Sequence, residues 1–427
     1  MRNDRDITVY ELLMKVFRDN AYASIALNDA LSDCKAEDKP YITKLFYGVL
    51  ERNIYYDYAI EKFASSKPKK PIAVIVKMGY YLLENMRVPS YAAVNNMVSL
   101  CGKVGKSGAS GFVNSALRKF KPPELPQEGT LERLSVEYGY PLWLCEMLVN
   151  DYGYTFVRDM LAHAPEKRTH IRVNNAVISE KKFAEKYADF ISDGDDPALS
   201  PSRVGYYATR KFIESANSGD YVVQSAASIA AVKAYLHNLP NVKLALDTCA
   251  APGGKAVLTA SISGAQVVAC DVHKHRVELI RKYAFHCDTR ICALVQDATV
   301  YNPEWRNKYD LVICDVPCSG IGVAGSKPDI LYNRGKEDIA ELAALQKKIL
   351  ETASAYVKKG GRLCYSTCTV LKCENGDIIK DFLSRHHEFE RDMIESPYTH
   401  GESSEINLFP HLHNTDGFFV AAMRKRA

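Results

Sequence analysis

From residue 241 onward, six β-rich runs alternate with stretches mostly long enough for helices: VKLALDTC, AQVVACDV, CALVQDA, YDLVICDVP, GGRLCYSTC and DGFFVAAMR. Such regular alternation leaves little choice of architecture, because parallel strands bury both faces and the intervening helices supply the cover. The pattern predicts an open, largely parallel sheet with helices on both faces, where ligands bind beyond the carboxyl ends of the strands. The rest of the chain reads differently. Up to residue 120, apolar positions recur at helical spacing, as in Val9, Leu12, Leu13, Val16 and Phe17, and again in Val94, Met97, Val98 and Cys101. Lys39–Phe63 and Ile72–Asn85 also read as helical, interrupted by SSKPKKP, and the prolines of KPPELPQEGT mark a linker. Residues 131–165 return to helix, and from His170 to about Asn241 short β-like pieces (HIRVNN, GDYVVQ) mix with helices. The chain therefore divides into a helical domain (1–125), linker helices with a small α/β subdomain (126–240) and an α/β domain (241–427).

Composition narrows the class. With 427 residues, 47% hydrophobic and 25% charged, the chain is that of a globular protein of several domains. No apolar run approaches the ~18 residues that a membrane span requires. The N-terminal MRNDRDITVYELL has no apolar core, so a cytoplasmic protein without membrane contact is expected. Residues 1–130 carry 19 basic against 14 acidic side chains, the remainder 36 against 37. A basic N-terminal third suggests a surface for polyanions such as RNA, although charge alone fits a solvated helical surface as well. Nine of the twelve cysteines lie between Cys249 and Cys373, and no C-x-x-C occurs. Neither a metal site nor a disulfide framework is expected from that spacing.

The chemistry collects at the predicted strand ends. The first strand breaks into Thr248-Cys249-Ala250-Ala251-Pro252-Gly253-Gly254-Lys255, small residues that let backbone approach a ligand ahead of a helix. This is neither a P-loop nor G-x-G-x-x-G, and alone it reads as a tight turn. Asp271 ends the second strand 18 residues past Gly253, close to the ~20-residue offset of a ribose-binding acid. Asp297 ends the third. One such acid is commonly a helix cap, but two in register behind a glycine loop favour a nucleoside-bearing cofactor. Without a phosphate loop, S-adenosylmethionine fits better than a dinucleotide. The fourth strand ends in Asp315-Val316-Pro317-Cys318 and the fifth in Ser366-Thr367-Cys368. Either cysteine alone would be a buried strand residue. Near a methyl donor they have a specific use: a thiolate adding to carbon 6 of a pyrimidine makes carbon 5 nucleophilic, and an acid at N3 stabilises the adduct.

CAAPGGK, DVPCSGIGV and YSTCT resemble the motifs of the RsmB/NOP2/Sun family of RNA cytosine-5 methyltransferases. YASIALNDAL, LFYGVLERNIYYDYAI, VPSYAAVNNMVSL and GFVNSALRKF resemble the NusB-like RNA-binding domain that precedes the enzyme in its bacterial RsmB-type members. THIRVN, YVVQSAAS, KPDI, LQKKIL, Glu374-Asn375 and DGFFVA match further landmarks. The resemblance implies a Rossmann-like S-adenosylmethionine-dependent methyltransferase domain behind a NusB-like helical domain and a small α/β connecting subdomain. It implies methylation of a cytidine in small-subunit (16S) ribosomal RNA; nothing in the sequence suggests an obligate dimer, so a monomer is expected. It makes Cys368 the attacking nucleophile, Cys318 the residue assisting product release, and Asp315 the N3 contact, with Lys255 reaching toward that acid. Cys249, Ala250, Ala251, Pro252, Gly253, Gly254, Lys255, Asp271, Asp297 and Asp315 would hold the cofactor, braced by Arg276. Three departures stand out: Val316 replaces the usual Ala, Ser225 replaces an acid after Val-Gln, and GSKPDILYN lacks the usual basic and aromatic flanks.

Rival readings fare less well. A DNA cytosine methyltransferase needs only the Pro-Cys thiol, which leaves Cys368 unexplained. A zinc deaminase would need its H-x-E before the Pro-Cys and a second cysteine where Ile321 stands. A catalytically idle RNA-binding assembly factor, or the same chemistry on tRNA or large-subunit RNA, remains open.

Overall fold

The computed structural model describes residues 4–164, 166, 168–191 and 197–427. Two compact units emerge: residues 4–162 with Ala324–Lys336, and the remaining described residues.

The first unit is helical. Its opening helix, Arg5–Asp19, starts where the Asp4 carboxylate accepts from the Asp6 and Ile7 amides at 3.0 and 3.4 Å, and it stops at Asn20 in the left-handed region. The stripe Val9, Leu12, Leu13 and Val16 is buried against Ile42, Leu45, Phe46, Val74 and Met97 from later helices. The periodicity of Lys39–Phe63 belongs to two helices, Lys39–Glu51 and Asn53–Phe63, separated at Arg52. There the guanidinium lies 4.2 Å from the centre of the Tyr55 ring and pairs with Glu84 at 3.3 Å. Apolar spacing runs on through that break, so it does not disclose it. Lys70–Asn85, Ser90–Lys103 and Ser110–Arg118 complete the core, followed by Leu131–Tyr138, Leu142–Tyr152 and Tyr154–Ala162. Among the described residues, no helix is long and apolar enough to cross a membrane.

The second unit begins with a four-stranded antiparallel sheet of β1 (Thr169–Val173), β2 (Leu199–Ser202), β3 (Gly205–Ala208) and β4 (Tyr221–Val223), ordered β2-β3-β1-β4. HIRVNN and GDYVVQ supply β1 and β4. The β2–β3 hairpin escapes a sequence reading because LSPS has little strand propensity, and its Pro201 is tolerated because β2 is an edge strand.

The large sheet contains β5 (Leu244–Asp247), β6 (Gln266–Asp271), β7 (Cys292–Val295), β8 (Tyr309–Asp315), β9 (Val357–Thr367), β10 (Phe389–Arg391), β11 (Glu405–Leu408) and β12 (Phe418–Lys425). The order is β10-β12-β9-β8-β5-β6-β7, with β11 also paired to β12. From β9 to β7 every pairing is parallel, whereas β12 runs antiparallel to β9, β10 and β11. This is the Rossmann-like arrangement that the alternating pattern predicts, with an antiparallel strand added at one side. Inside it Arg362, fully buried on β9, donates to Asp392 at 2.6 Å and to the Tyr235 and His237 carbonyls at 2.8 and 2.6 Å. It thereby satisfies the last carbonyls of helix Ala226–Leu236. The strand order turns between β5 and β8, and a crevice forms at such a switch point. Asp247 and Asp315 end those two strands.

Candidate active site

The glycine loop is held by bonds to the two strands that flank β5. Thr248 Oγ1 donates to the Ile313 carbonyl at 3.2 Å, and the Ala250 amide donates to the Cys270 carbonyl at 2.7 Å. Gly253 caps helix Gly254–Ser263 with φ 116°, a conformation disfavoured for any residue with a side chain. A Cβ at Gly253 would also lie 3.3 Å from Ile280 Cα. The helix therefore presents free amides just past a loop of Cys249, Ala250, Ala251, Pro252, Gly253 and Gly254, while Lys255 turns away to bond Asp315.

Asp271 is buried at the end of β6, accepting from the His273 amide at 3.0 Å and pairing with Arg276 at 3.2 Å. Arg276 also donates to the Ala251 carbonyl at 3.3 Å, so one guanidinium clasps acid and loop together. Asp297 is half-buried, and its Oδ1 accepts from the Thr299 amide and hydroxyl, each at 2.8 Å. Those two bonds hold its carboxyl below the ordinary range. It connects to the others only through its neighbour, since the Gln296 amide donates to the Asp271 carbonyl at 3.1 Å.

Asp315 and Lys255 meet at 2.7 Å. The other Asp315 oxygen accepts from Ser366 Oγ at 2.7 Å, and Ser366 Oγ accepts in turn from the buried Tyr235 hydroxyl at 2.6 Å. Both carboxylate oxygens are thus aimed by neighbours. Burial lowers the Lys255 pKa, but the charge and hydrogen bond of Asp315, with smaller pulls from Cys368 and Asp247, outweigh it and leave the ammonium above its ordinary value.

Cys318 and Cys368 face one another with sulfurs 3.4 Å apart. Hydrogen bonding to Cys368 and then burial push the Cys318 thiol far above its ordinary range, with Cys368 and Glu374 adding electrostatically. Cys318 therefore stays protonated at neutral pH. The two cysteine loops are tied by Glu374, which is fully buried and accepts from Ser319 Oγ at 2.5 Å, the Ser319 amide at 2.9 Å and Gln346 Nε2 at 2.9 Å. Next to it, Asn375 accepts from Thr367 Oγ1 at 2.5 Å and donates to the Thr369 carbonyl at 3.0 Å. Gly322 and Gly417 close the arrangement: the Gly322 amide donates to the Cys368 carbonyl at 3.0 Å, and a Cβ on Gly322 would sit 2.1 Å from the Gly417 carbonyl.

One acid was not singled out from the sequence. Asp247, fully buried below the loop, accepts from the Cys249 amide at 3.3 Å through Oδ1, while Oδ2 has no hydrogen-bond partner among the described residues. Burial, reinforced by Asp315 and opposed by Lys255, raises its carboxyl to about 7. The signal was present, since Asp247 is a strand-end acid like Asp271. Ser366 and Gln346 lay within the quoted YSTCT and LQKKIL without being singled out, and Tyr235 gave no comparable signal, because only tertiary contact makes their roles visible.

The model of the 16S rRNA methyltransferase RsmB/F family matches residues 234–424, and that of the NusB family matches residues 2–122. The chain is 30% identical to the probable ribosomal RNA small subunit methyltransferase B of Bacillus subtilis (strain 168), over 99% of this chain and 98% of that one. This chain belongs to the RsmB/F family. A second relative, the ribosomal RNA small subunit methyltransferase B of Xanthomonas campestris pv. campestris, is 28% identical over 91% of this chain and 89% of that one. The solved structure of PH0851 superposes with a TM-score of 0.79 at 25% identity, covering 98% of each chain. The RsmB/F match contains the glycine loop, the strand-end acids and both thiols, whereas β1 to β4 fall outside both family matches. The Ser225 departure has a simple account. Its hydroxyl accepts from the Ser228 amide at 3.3 Å and caps helix Ala226–Leu236, a role in which Ser and Asp are near equivalents.

Proposed function

We propose that this RsmB/F-family protein methylates carbon 5 of a cytidine in small-subunit ribosomal RNA, using S-adenosylmethionine and a covalent cysteine adduct. The observation that carries the reading is the thiol pair at 3.4 Å beside the Lys255–Asp315 ion pair. The names of the relatives support the substrate class.

The residues fit a cationic nucleoside cofactor. Asp247 offers a buried carboxylate oxygen without a partner, which a positively charged group would satisfy. Asp271 is held rigid by Arg276 at the offset suited to ribose hydroxyls, and the loop from Cys249 to Gly254 gives close backbone approach. When bound, S-adenosylmethionine supplies an electrophilic methyl group.

The chain's own residues do the rest. Cys368 as thiolate adds to carbon 6, opening the 5,6 double bond, while a proton passed from the Lys255 ammonium to Asp315 lets that acid donate to N3, which takes up the negative charge of the addition. Carbon 5, now nucleophilic, takes the methyl group. Its proton then leaves to solvent, the double bond re-forms and the carbon 6–sulfur bond breaks. Cys318, held protonated against Cys368, donates to the departing sulfur. The cytidine must leave its stack to reach the thiols, and the basic N-terminal domain holds the RNA backbone.

Transfer of labelled methyl from S-adenosylmethionine to unmodified small-subunit RNA, mapped by bisulfite, tests the reading, with a single 5-methylcytosine expected. Cys368→Ala should lower the rate on the order of 10⁴-fold or more and form no adduct. Cys318→Ala should accumulate a protein–RNA adduct that survives denaturation. The reverse pattern would reassign the two thiols, and transfer only to other RNAs would move the substrate.

A further inference from the structure

Asp315 stands across from Ser366 in the register of β8 against β9, so the two side chains share a face of the sheet. Cys368 follows two residues on. The strand that leads to the reactive thiol therefore also carries a group that touches the acid.

Behind Ser366 lies Tyr235, fully buried in helix Ala226–Leu236. Its hydroxyl meets Ser366 Oγ at 2.6 Å, and Ser366 Oγ meets Asp315 Oδ1 at 2.7 Å. The far end of this chain sets its direction. A carboxylate has no proton to give, so Ser366 must donate to it. A serine hydroxyl has a single proton, so Tyr235 must donate to Ser366. Burial, and then the charge of Asp315, push the Tyr235 phenol well above its ordinary range, which keeps it a donor at neutral pH. Each donor polarises the next, so the bond on Oδ1 is strengthened by the one behind it.

Tyr235 itself has little freedom. Its helix starts on the Ser225 cap and ends where the buried Arg362 donates to the Tyr235 and His237 carbonyls at 2.8 and 2.6 Å. Arg362 lies earlier on β9 and is held in turn by Asp392 at 2.6 Å. One strand thus grips Tyr235 by its backbone and receives its side chain.

The two oxygens of Asp315 are left unequal. Ser366 fills Oδ1, whereas Oδ2 faces the Lys255 ammonium at 2.7 Å. A proton leaving Lys255 Nζ meets Oδ2. Placing it on Oδ1 would turn the buried Ser366 hydroxyl away from its one acceptor among the described residues. The Asp315 side chain is still 26% exposed, so the acid remains open to a base.

We propose that Tyr235 and Ser366 are positioning residues that confine the transferred proton to Oδ2 of Asp315, the oxygen that then donates to N3 of the cytosine. In that step a Lys255 N–H bond breaks and the Asp315 Oδ2–H bond forms, while Ser366 and Tyr235 keep their own protons. The donation to N3 rests on the cytosine-5 reading above, whereas the aiming of Asp315 against Lys255 does not.

Nitrogen-15 NMR of the full-length protein tests the aiming without RNA. Tyr235→Phe keeps the ring and the backbone bond to Arg362 and removes only the hydroxyl. Exchange of the Lys255 ammonium protons with solvent should quicken about fivefold in this variant, because Asp315 then moves more freely against its partner. An unchanged exchange rate would overturn the aiming. Single-turnover methyl transfer, with the modified base identified, tests the chemistry. Tyr235→Phe should lower the rate about tenfold and Ser366→Ala about 10–100-fold, with RNA affinity within about twofold of the parent. Because Tyr235 acts through Ser366, adding Tyr235→Phe to Ser366→Ala should cost less than about twofold more. Losses that multiply, or that fall on RNA affinity alone, would mean a merely structural role for Tyr235 and defeat the proposal. Faster ammonium exchange with methyl found on an atom other than carbon 5 of cytosine would overturn the N3 role and uphold the aiming.

Discussion

Around the paired thiols, Ser319, Gln346, Thr369, Glu374 and Asn375 form a buried polar network with every Glu374 carboxylate oxygen engaged. At the ends of β6 and β7, by contrast, Val272 and Val295 are about half exposed, at 50% and 53%, and Asp297 bonds only within its own turn. Both regions lie at the carboxyl edge of one sheet, yet one is braced from within and the other is left open. Thiol chemistry tolerates little misplacement, since a shift of about 1 Å costs about 100-fold in rate. On the proposed reading this open half takes the cofactor, which would contribute its own bonds on binding, so acceptors matter there more than internal bracing.

That contrast can be broken most sharply at Glu374. Glu374→Ala leaves the Ser319 amide and one Gln346 Nε2 hydrogen unpaired in the core, while the Ser319 hydroxyl keeps Thr369 and Gln346 keeps the Pro317 carbonyl, and urea denaturation should show a loss of about 2–4 kcal/mol. Turnover should fall by more than tenfold while cofactor affinity changes by less than about twofold. A change confined to cofactor affinity would erase the distinction between the two regions.

Asp247 sharpens it from the other side. Its folded carboxyl titrates at about 7, against about 3.9 in an unfolded chain, so the folded state takes up a proton between those values. Stability should therefore fall as pH rises from about 4 to 7 and then level off. Asp247→Asn removes that loss and should be about 2–4 kcal/mol more stable than the parent at pH 8, the difference vanishing near pH 4. The same variant should bind S-adenosylhomocysteine more weakly, a site held at a cost in stability. A difference independent of pH would show that the carboxyl is not its source. Asp271→Ala should have the smallest consequence for the fold. Calorimetry should report S-adenosylhomocysteine binding weaker by about 10–100-fold, with RNA affinity within about twofold. Equal losses for both ligands would count against a ribose contact.

Much of this was legible in the chain. The six predicted β runs correspond to β5, β6, β7, β8, β9 and β12, and the Gly253 loop, Asp271, Asp315, Cys318 and Cys368 all stand at or just beyond strand ends. The apolar stripe of the first helix is buried as its spacing requires. Less was visible where contacts are non-local. The antiparallel course of β12 cannot be read from DGFFVAAMR, because a strand's residues do not encode its neighbour's direction. The Lys255–Asp315 pair joins residues 60 apart, a guess from motif alone until the sheet order sets β5 beside β8. Glu374 and Asn375 stood out only as landmarks, and their work as a clamp needs β9 and the Cys318 loop to be in place.

Local rules therefore reach as far as interactions between near neighbours in sequence. Periodicity, capping residues and strand-end punctuation decide which segments are helix or strand and where reactive groups are exposed, since each depends on residues a few positions apart. The 3.4 Å approach of the thiols, the unpartnered oxygen of Asp247 and the docking of Asp329 on a helix more than 300 residues earlier are of another kind. They depend on how much water is excluded and on which distant backbone group happens to lack a partner. Only the packed chain determines those two quantities.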